Sequence, residues 1–199
     1  MRQLLGVALA VLVLCVPGAS RAEEQFHGDV NFLIGQKQLE EDALEPNEDG
    51  AVVGAITTWG GEDWPVSLAA DLVIYGDEED AFDLSADELS LAIVEAAVGV
   101  RKIWRAGPIR PYLGAGIELV SADLEEGNFF FDDEDAEGSG VGVWANGGVF
   151  WRLGNHFNLG FDVRWNRAEV DLEFDDGGPD LEDVELGGLA GGLTLGFGW

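Results

Sequence analysis

Basic residues are scarce in this 199-residue chain, with 10 Lys and Arg against 39 Asp and Glu. A formal net charge of −29 leaves no basic face of the kind a general nucleic-acid binder requires. Cysteine is scarcer still. Cys15 is the only one, and it lies in an N-terminal stretch that reads as a targeting segment. Met1-Arg2 supplies a positive start, Leu4 to Val16 an apolar run, Pro17-Gly18 a break, and Ser20-Arg21-Ala22 a peptidase site. The run is about a dozen residues, short of the roughly 20 that cross a bilayer as a helix. Residues 1–22 are therefore expected to be a signal peptide, with a retained anchor as the alternative. Leu14 stands before Cys15, where a lipid-modified cysteine wants a small residue. Cleavage after Ala22 removes Cys15 and leaves no disulfide and no cysteine–metal site. After Ala22 there is no amphipathic helical stretch of useful length.

What is present is apolar and alternating. Hydrophobic residues make up 47% of the chain, with 7 Trp and 11 Phe, which is too apolar for a solvated acidic tail. The dominant period is two, in eight segments of residues 23–199. They run over about 25–39, 50–59, 65–76, 88–104, 110–122, 139–152 and 156–170, and an eighth closes the chain. The seventh is the cleanest: Phe157, Leu159, Phe161, Val163 and Trp165 alternate with Asn158, Gly160, Asp162, Arg164 and Asn166.

Connections alternate in length. Those at 60–64, 105–109 and 153–155 are short, while Glu40–Asp49, Asp77–Asp87, Asp123–Gly138 and Asp171–Asp183 are long and acidic. Strict alternation puts every long connection at one end, the layout of an up-and-down membrane barrel. With their flanks these long segments hold 30 of the 39 acidic residues, and the only basic residues near them are Lys37 and Arg167.

A soluble barrel also alternates, but it turns its large apolar residues inward. Here the residues opposite the large apolar ones are Asp29, Lys37, Asp71, Glu95, Arg101, Glu118, Asp162 and Arg164, together with many of the 29 glycines. Those charges suit an enclosed lumen, with the apolar face toward lipid. Trp59, Trp64, Trp104, Trp151, Phe157 and Trp199 all fall near short turns, as an interfacial girdle would. The expected fold is an all-β, eight-stranded antiparallel up-and-down transmembrane barrel over residues 23–199.

Two segments carry a family resemblance. Leu193-Thr-Leu-Gly-Phe-Gly-Trp199 is similar to the C-terminal strand of outer-membrane barrels, and Arg110-Pro-Tyr-Leu-Gly-Ala-Gly116 resembles a strand opening in small barrels of the OmpA/OmpX type. The resemblance implies that the assembly machinery reads Leu193, Leu195, Phe197 and Trp199. It also implies residence in a bacterial outer membrane among lipid and lipopolysaccharide, with long loops extracellular and both termini of the exported chain periplasmic. That family hosts adhesins, structural proteins and lipid-modifying enzymes, so it does not fix an activity.

Candidate chemistry lies in two places. The alternating acids of Asp133-Glu-Asp-Ala-Glu-Gly138 look like the start of a calcium loop, but Trp144 stands where the closing Glu belongs. Asp132, Asp133, Asp135 and Glu137 are the candidate ligands for Ca²⁺ or Mg²⁺, and a solvated anionic surface is the alternative. The eight lumen charges are either a paired plug or an ion path, and eight strands favour the plug. Phe129-Phe130-Phe131 is either an exposed contact tip or an extension of the fifth strand. The two histidines, His27 and His156, fall at the short-turn end, so no triad forms at the outer leaflet and no enzyme is expected. The expected function is a structural or surface-interaction barrel that binds divalent cations, with a narrow pore as the alternative. A soluble lipid carrier comes third.

Overall fold

The structure, a computed structural model, describes residues 26–39, 49–77, 90–126, 134–174 and 181–199. They form eight strands: β1 (Phe26–Leu39), β2 (Asp49–Gly61), β3 (Ser67–Asp77), β4 (Ser90–Ile103), β5 (Ile109–Glu126), β6 (Glu134–Leu153), β7 (Phe157–Phe174) and β8 (Leu181–Gly198). Each pairs antiparallel with its neighbour in sequence, and β1 pairs β8 to close the barrel. Closure leaves no unpaired sheet edge, the condition for backbone to lie in hydrocarbon.

Alternation sorts the side chains as the sequence pattern requires. Phe161 and Leu195 are exposed on the outside, while Asp162 and Arg164 beside them are only 1% and 2% exposed. The outer surface carries a continuous band of large apolar residues, among them Phe32, Ile34, Leu113, Leu119, Val141 and Leu193. In water such a band would be a large exposed apolar patch. In lipid it is the stable face. Around the short turns Trp64, Trp104, Trp151, Phe157 and Trp199 are exposed and Trp59 is half-buried. Phe26 meets Trp64 edge-on at 6.2 Å, and Phe157 meets Phe197 at 4.8 Å.

The short turns span 62–66, 104–108 and 154–156. Two of them are closed by backbone bonds, from Trp64 N–H to Gly61 O and from Trp104 N–H to Pro111 O. Gly154 takes a φ of 66°, a left-handed backbone that glycine adopts without steric cost.

The third and fourth long connections differ from the sequence expectation. Strands β5 and β6 stay paired from Asp123↔Glu137 out to Glu126↔Glu134, so only 127–133 lies between them. β7 runs to Phe174 and β8 begins at Leu181. A crossing strand needs about 9–11 residues. β1 to β4 have 11 to 14, and β5 to β8 have 18 to 20. Beyond hydrocarbon a ladder needs no apolar face, so the alternating signal stops while the pairing continues. Residues 1–25, which include the expected signal peptide, and Phe129-Phe130-Phe131 lie outside the described residues.

Candidate functional site

The barrel interior holds a layered polar network. All eight charged residues that the alternation assigns to the enclosed face are at most 3% exposed. Asp71 of β3 is the hub. Both its oxygens accept from Arg101 of β4, at 2.7 and 3.3 Å, and Oδ2 also accepts from Arg164 Nη1 of β7 at 3.0 Å. Arg164 Nη2 donates to Glu118 of β5 at 3.1 Å, and its Nε lies 3.7 Å from Glu95 of β4. Glu95 also receives the Lys37 ammonium from β1. The Asn166 amide donates to both Glu95 and Glu118, at 2.9 and 2.8 Å. Five of the eight strands are thereby tied through ions across the lumen. Buried charges of this kind are tolerable only when paired and hydrogen-bonded.

The network has an aromatic centre. Trp144 of β6 is 1% exposed, with Arg164 4.8 Å and Arg101 5.5 Å from its ring centroid. Both distances suit cation–π attraction in a desolvated site. Its indole N–H bonds the carbonyls of Ile117 and Val98. Glycines opposite make the room. Gly116 pairs Trp144 directly, and a Cβ on Gly114 would fall 3.2 Å from the Trp144 ring and 3.1 Å from Arg101 Nε. Asp162 makes no ion pair among the described residues: it accepts from the Tyr112 hydroxyl and the Asn146 amide, and its Oδ1 has no partner among them.

Toward the long connections the lumen turns apolar. Leu39, Tyr75, Ile93, Val120, Ala122, Ala168 and Val170 form one buried cluster above the ionic belt. Period two places them in register with the inward charges, as Leu39 follows Lys37 and Val120 follows Glu118.

Toward the short turns lies a second polar layer. Asp29 accepts from Arg152, from the Asn158 amide at 3.1 Å, and from Arg105 at 3.3 Å. Arg152 Nε also donates to Asn158 Oδ1 at 2.6 Å. Arg105 sits in the turn 104–108, where burial holds its proton affinity below the ordinary arginine value and Asp29 opposes that shift. His27 points into the same layer from β1, and His156 is exposed in the turn 154–156.

The sequence reading missed Trp144, Asn146, Arg105 and Arg152 as lumen partners. The signal for Trp144 was present: Val143 and Ala145 face out, so Trp144 must face in, against Gly116. Of the candidate metal ligands, Asp132 and Asp133 lie outside the described residues. Asp135 and Glu137 fall at the start of β6 with side chains also outside the description, on a backbone that is extended rather than looped. Among the described residues, no three His, Cys, Asp or Glu side chains gather as a metal site. Leu193, Leu195, Phe197 and Trp199 all face outward from the last strand. No helix among the described residues is long and apolar enough to cross a membrane.

An apolar exterior, a charged and internally paired lumen and an edgeless eight-stranded ladder together define a transmembrane β-barrel. Its fold is that of the small eight-stranded outer-membrane barrels. It is similar to Neisserial surface protein A, with a TM-score of 0.54 at 14% identity over 87% of this chain and 95% of that one. It is also similar to Ail, the attachment invasion locus protein of Yersinia pestis, with a TM-score of 0.53 at 12% identity over 87% and 98%. A third likeness is to the outer membrane protein AlkL in lipid bilayers, with a TM-score of 0.53 at 15% identity over 92% and 95%. At these identities the likeness is one of fold. No protein-family model matches the chain, and no curated protein matches it in sequence.

Proposed function

We propose that this protein is an outer-membrane barrel with a closed lumen, serving as a structural or surface-interaction scaffold through its acidic loops. The observation that carries this reading is the segregation of charge. The four long segments with their flanks hold 30 of 39 acidic residues, while Lys37, Arg101 and Arg164 of the central lumen are paired with Asp71, Glu95 and Glu118. Carboxylates so concentrated, with almost no local counter-charge, attract divalent cations and bridge through them to lipopolysaccharide phosphates. The similar Ail has been seen with the heparin analogue sucrose octasulfate. A polyanion of that kind is a poor partner for these loops unless a cation intervenes. In this reading the loops are extracellular, both termini of the exported chain are periplasmic, and the assembly machinery reads the outward face of β8.

Calorimetric titration of the folded barrel in detergent with Ca²⁺ is expected to give saturable heat in the millimolar range that chelator abolishes. Absence of saturable heat would remove cation binding from the proposal.

The alternative is a narrow pore. The ionic belt and the apolar cluster above it speak for closure, because eight strands leave an interior just wide enough for side chains to fill. Planar-bilayer recordings of the purified barrel are therefore expected to show no steady conductance. A stable open level would move the function to transport. Catalysis is not part of this reading: both histidines sit at the short-turn end, His156 exposed, and His27 Nε2 makes no hydrogen bond among the described residues.

A further inference from the structure

Among the described side chains, three arginines at the short-turn mouth of the lumen surround one inward carboxylate, Asp29. Arg105 and Arg152 both engage Asp29, and they occupy both of its oxygens. Arg110 makes no ion pair among the described residues. It lies opposite Phe150 in the β5–β6 ladder, so Arg152 is its diagonal neighbour on the same inward face. Side chains that long reach one another at diagonal positions, where like charges destabilise. Two enclosed polar atoms here also lack partners among the described residues, Arg110 Nε and His27 Nε2. Buried polar atoms are nearly always satisfied, and each exception calls for an explanation.

The nearby charges do not supply one. Glu62 and Asp63 are exposed in the turn 62–66 and pair with none of these arginines, and Lys102 donates instead to the Pro65 carbonyl at 2.6 Å. Three guanidiniums, the Asp29 carboxylate and an imidazole nitrogen without a partner among the described residues thus converge on a mouth with low-dielectric walls, which focus the positive potential.

We propose that this mouth is an oxyanion-binding site, in which Arg105, Arg110, Arg152 and His27 hold a phosphate- or carboxylate-bearing ligand. Guanidinium forks match the paired oxygens of such groups, and the added negative charge relieves the repulsion between Arg110 and Arg152. The same chemistry is offered by a soluble anion and by a phospholipid headgroup, since the Trp64, Trp104, Trp151 and Trp199 girdle sets the mouth at headgroup depth.

The test uses the folded full barrel in a nonionic detergent free of phosphate, with folding checked by heat-dependent gel mobility. The side-chain Nε–H resonances of Arg110 and Arg152 are followed by NMR. In one arm inorganic phosphate is titrated, and in the other phosphatidylglycerol is added to the micelles. A saturable shift is expected in at least one arm. Saturation by phosphate names a soluble anion, and saturation by the lipid alone names a headgroup. Arg110→Gln is expected to weaken binding at least tenfold, read on Arg152, and His27→Ala several-fold, while Lys102→Gln leaves it unchanged. No saturable shift in either arm, or an equal loss in Lys102→Gln, would overturn the site.

Discussion

Replacing Asp71 with Asn is expected to lower the unfolding free energy by about 3–5 kcal/mol, the cost of leaving a buried charge without its partner. Asp71 neutralises two guanidiniums at once, with Arg101 at 2.7 Å and Arg164 at 3.0 Å. The Asn amide keeps the shape and loses the charge, so Arg101 stays buried against Trp144 and Tyr112 without the one ion pair it makes among the described residues. Arg164 retains Glu118 and Glu95 and suffers less. Urea unfolding from lipid vesicles, followed by tryptophan fluorescence, measures the effect. Asp71→Asn combined with Arg101→Gln should recover part of the loss, because the two side chains act as a unit. A change below about 1 kcal/mol, the range of exposed ion pairs, would show that water reaches the belt.

The second large effect belongs to the outer face. Ile117 is 59% exposed and is flanked across the ladders by Val98 and Val143, near the middle of the apolar band. Ile117→Arg is expected to cost about 2–4 kcal/mol in vesicles, as a cation placed near the bilayer midplane does. Glu62→Arg, in an exposed turn, should stay within about 0.5 kcal/mol of the parent. A soluble barrel would treat both substitutions alike and would stay in solution without detergent. The same unfolding assay therefore tests which way the barrel faces.

Much of the fold was legible because hydrocarbon enforces a strict code. Phe161 next to Asp162 and Leu119 next to Glu118 can be reconciled only if one face meets lipid and the other an enclosed lumen. Strand ends near the short turns were readable to within a few residues, since Trp and Gly cluster there. The far ends of β5 to β8 were not, because beyond the membrane neither face must be apolar and Glu126 or Glu134 can continue a ladder without showing it. Partners within the lumen were legible in direction and not in identity. That Asp29 and Arg152 both point inward follows from parity. That they meet, 123 residues apart, depends on the stagger of eight strands, which no local pattern encodes. The apolar cluster of Ile93, Val120 and Val170 was equally hidden, because it looks like ordinary alternation continued past the last charge. The acids of the third long connection remain readable only as charge.

The ladder joining Phe26–Leu39 to Leu181–Gly198 also constrains how the gene can vary. The first strand acquires its second neighbour only when the last one has been made, so the chain has no viable shortened version. A stop codon even one strand early strips two rims of amide and carbonyl groups bare to hydrocarbon, at several kcal/mol for each unmet group. Novelty can accumulate in the acidic segments between strands, while the terminal strand is inherited whole or the protein is lost.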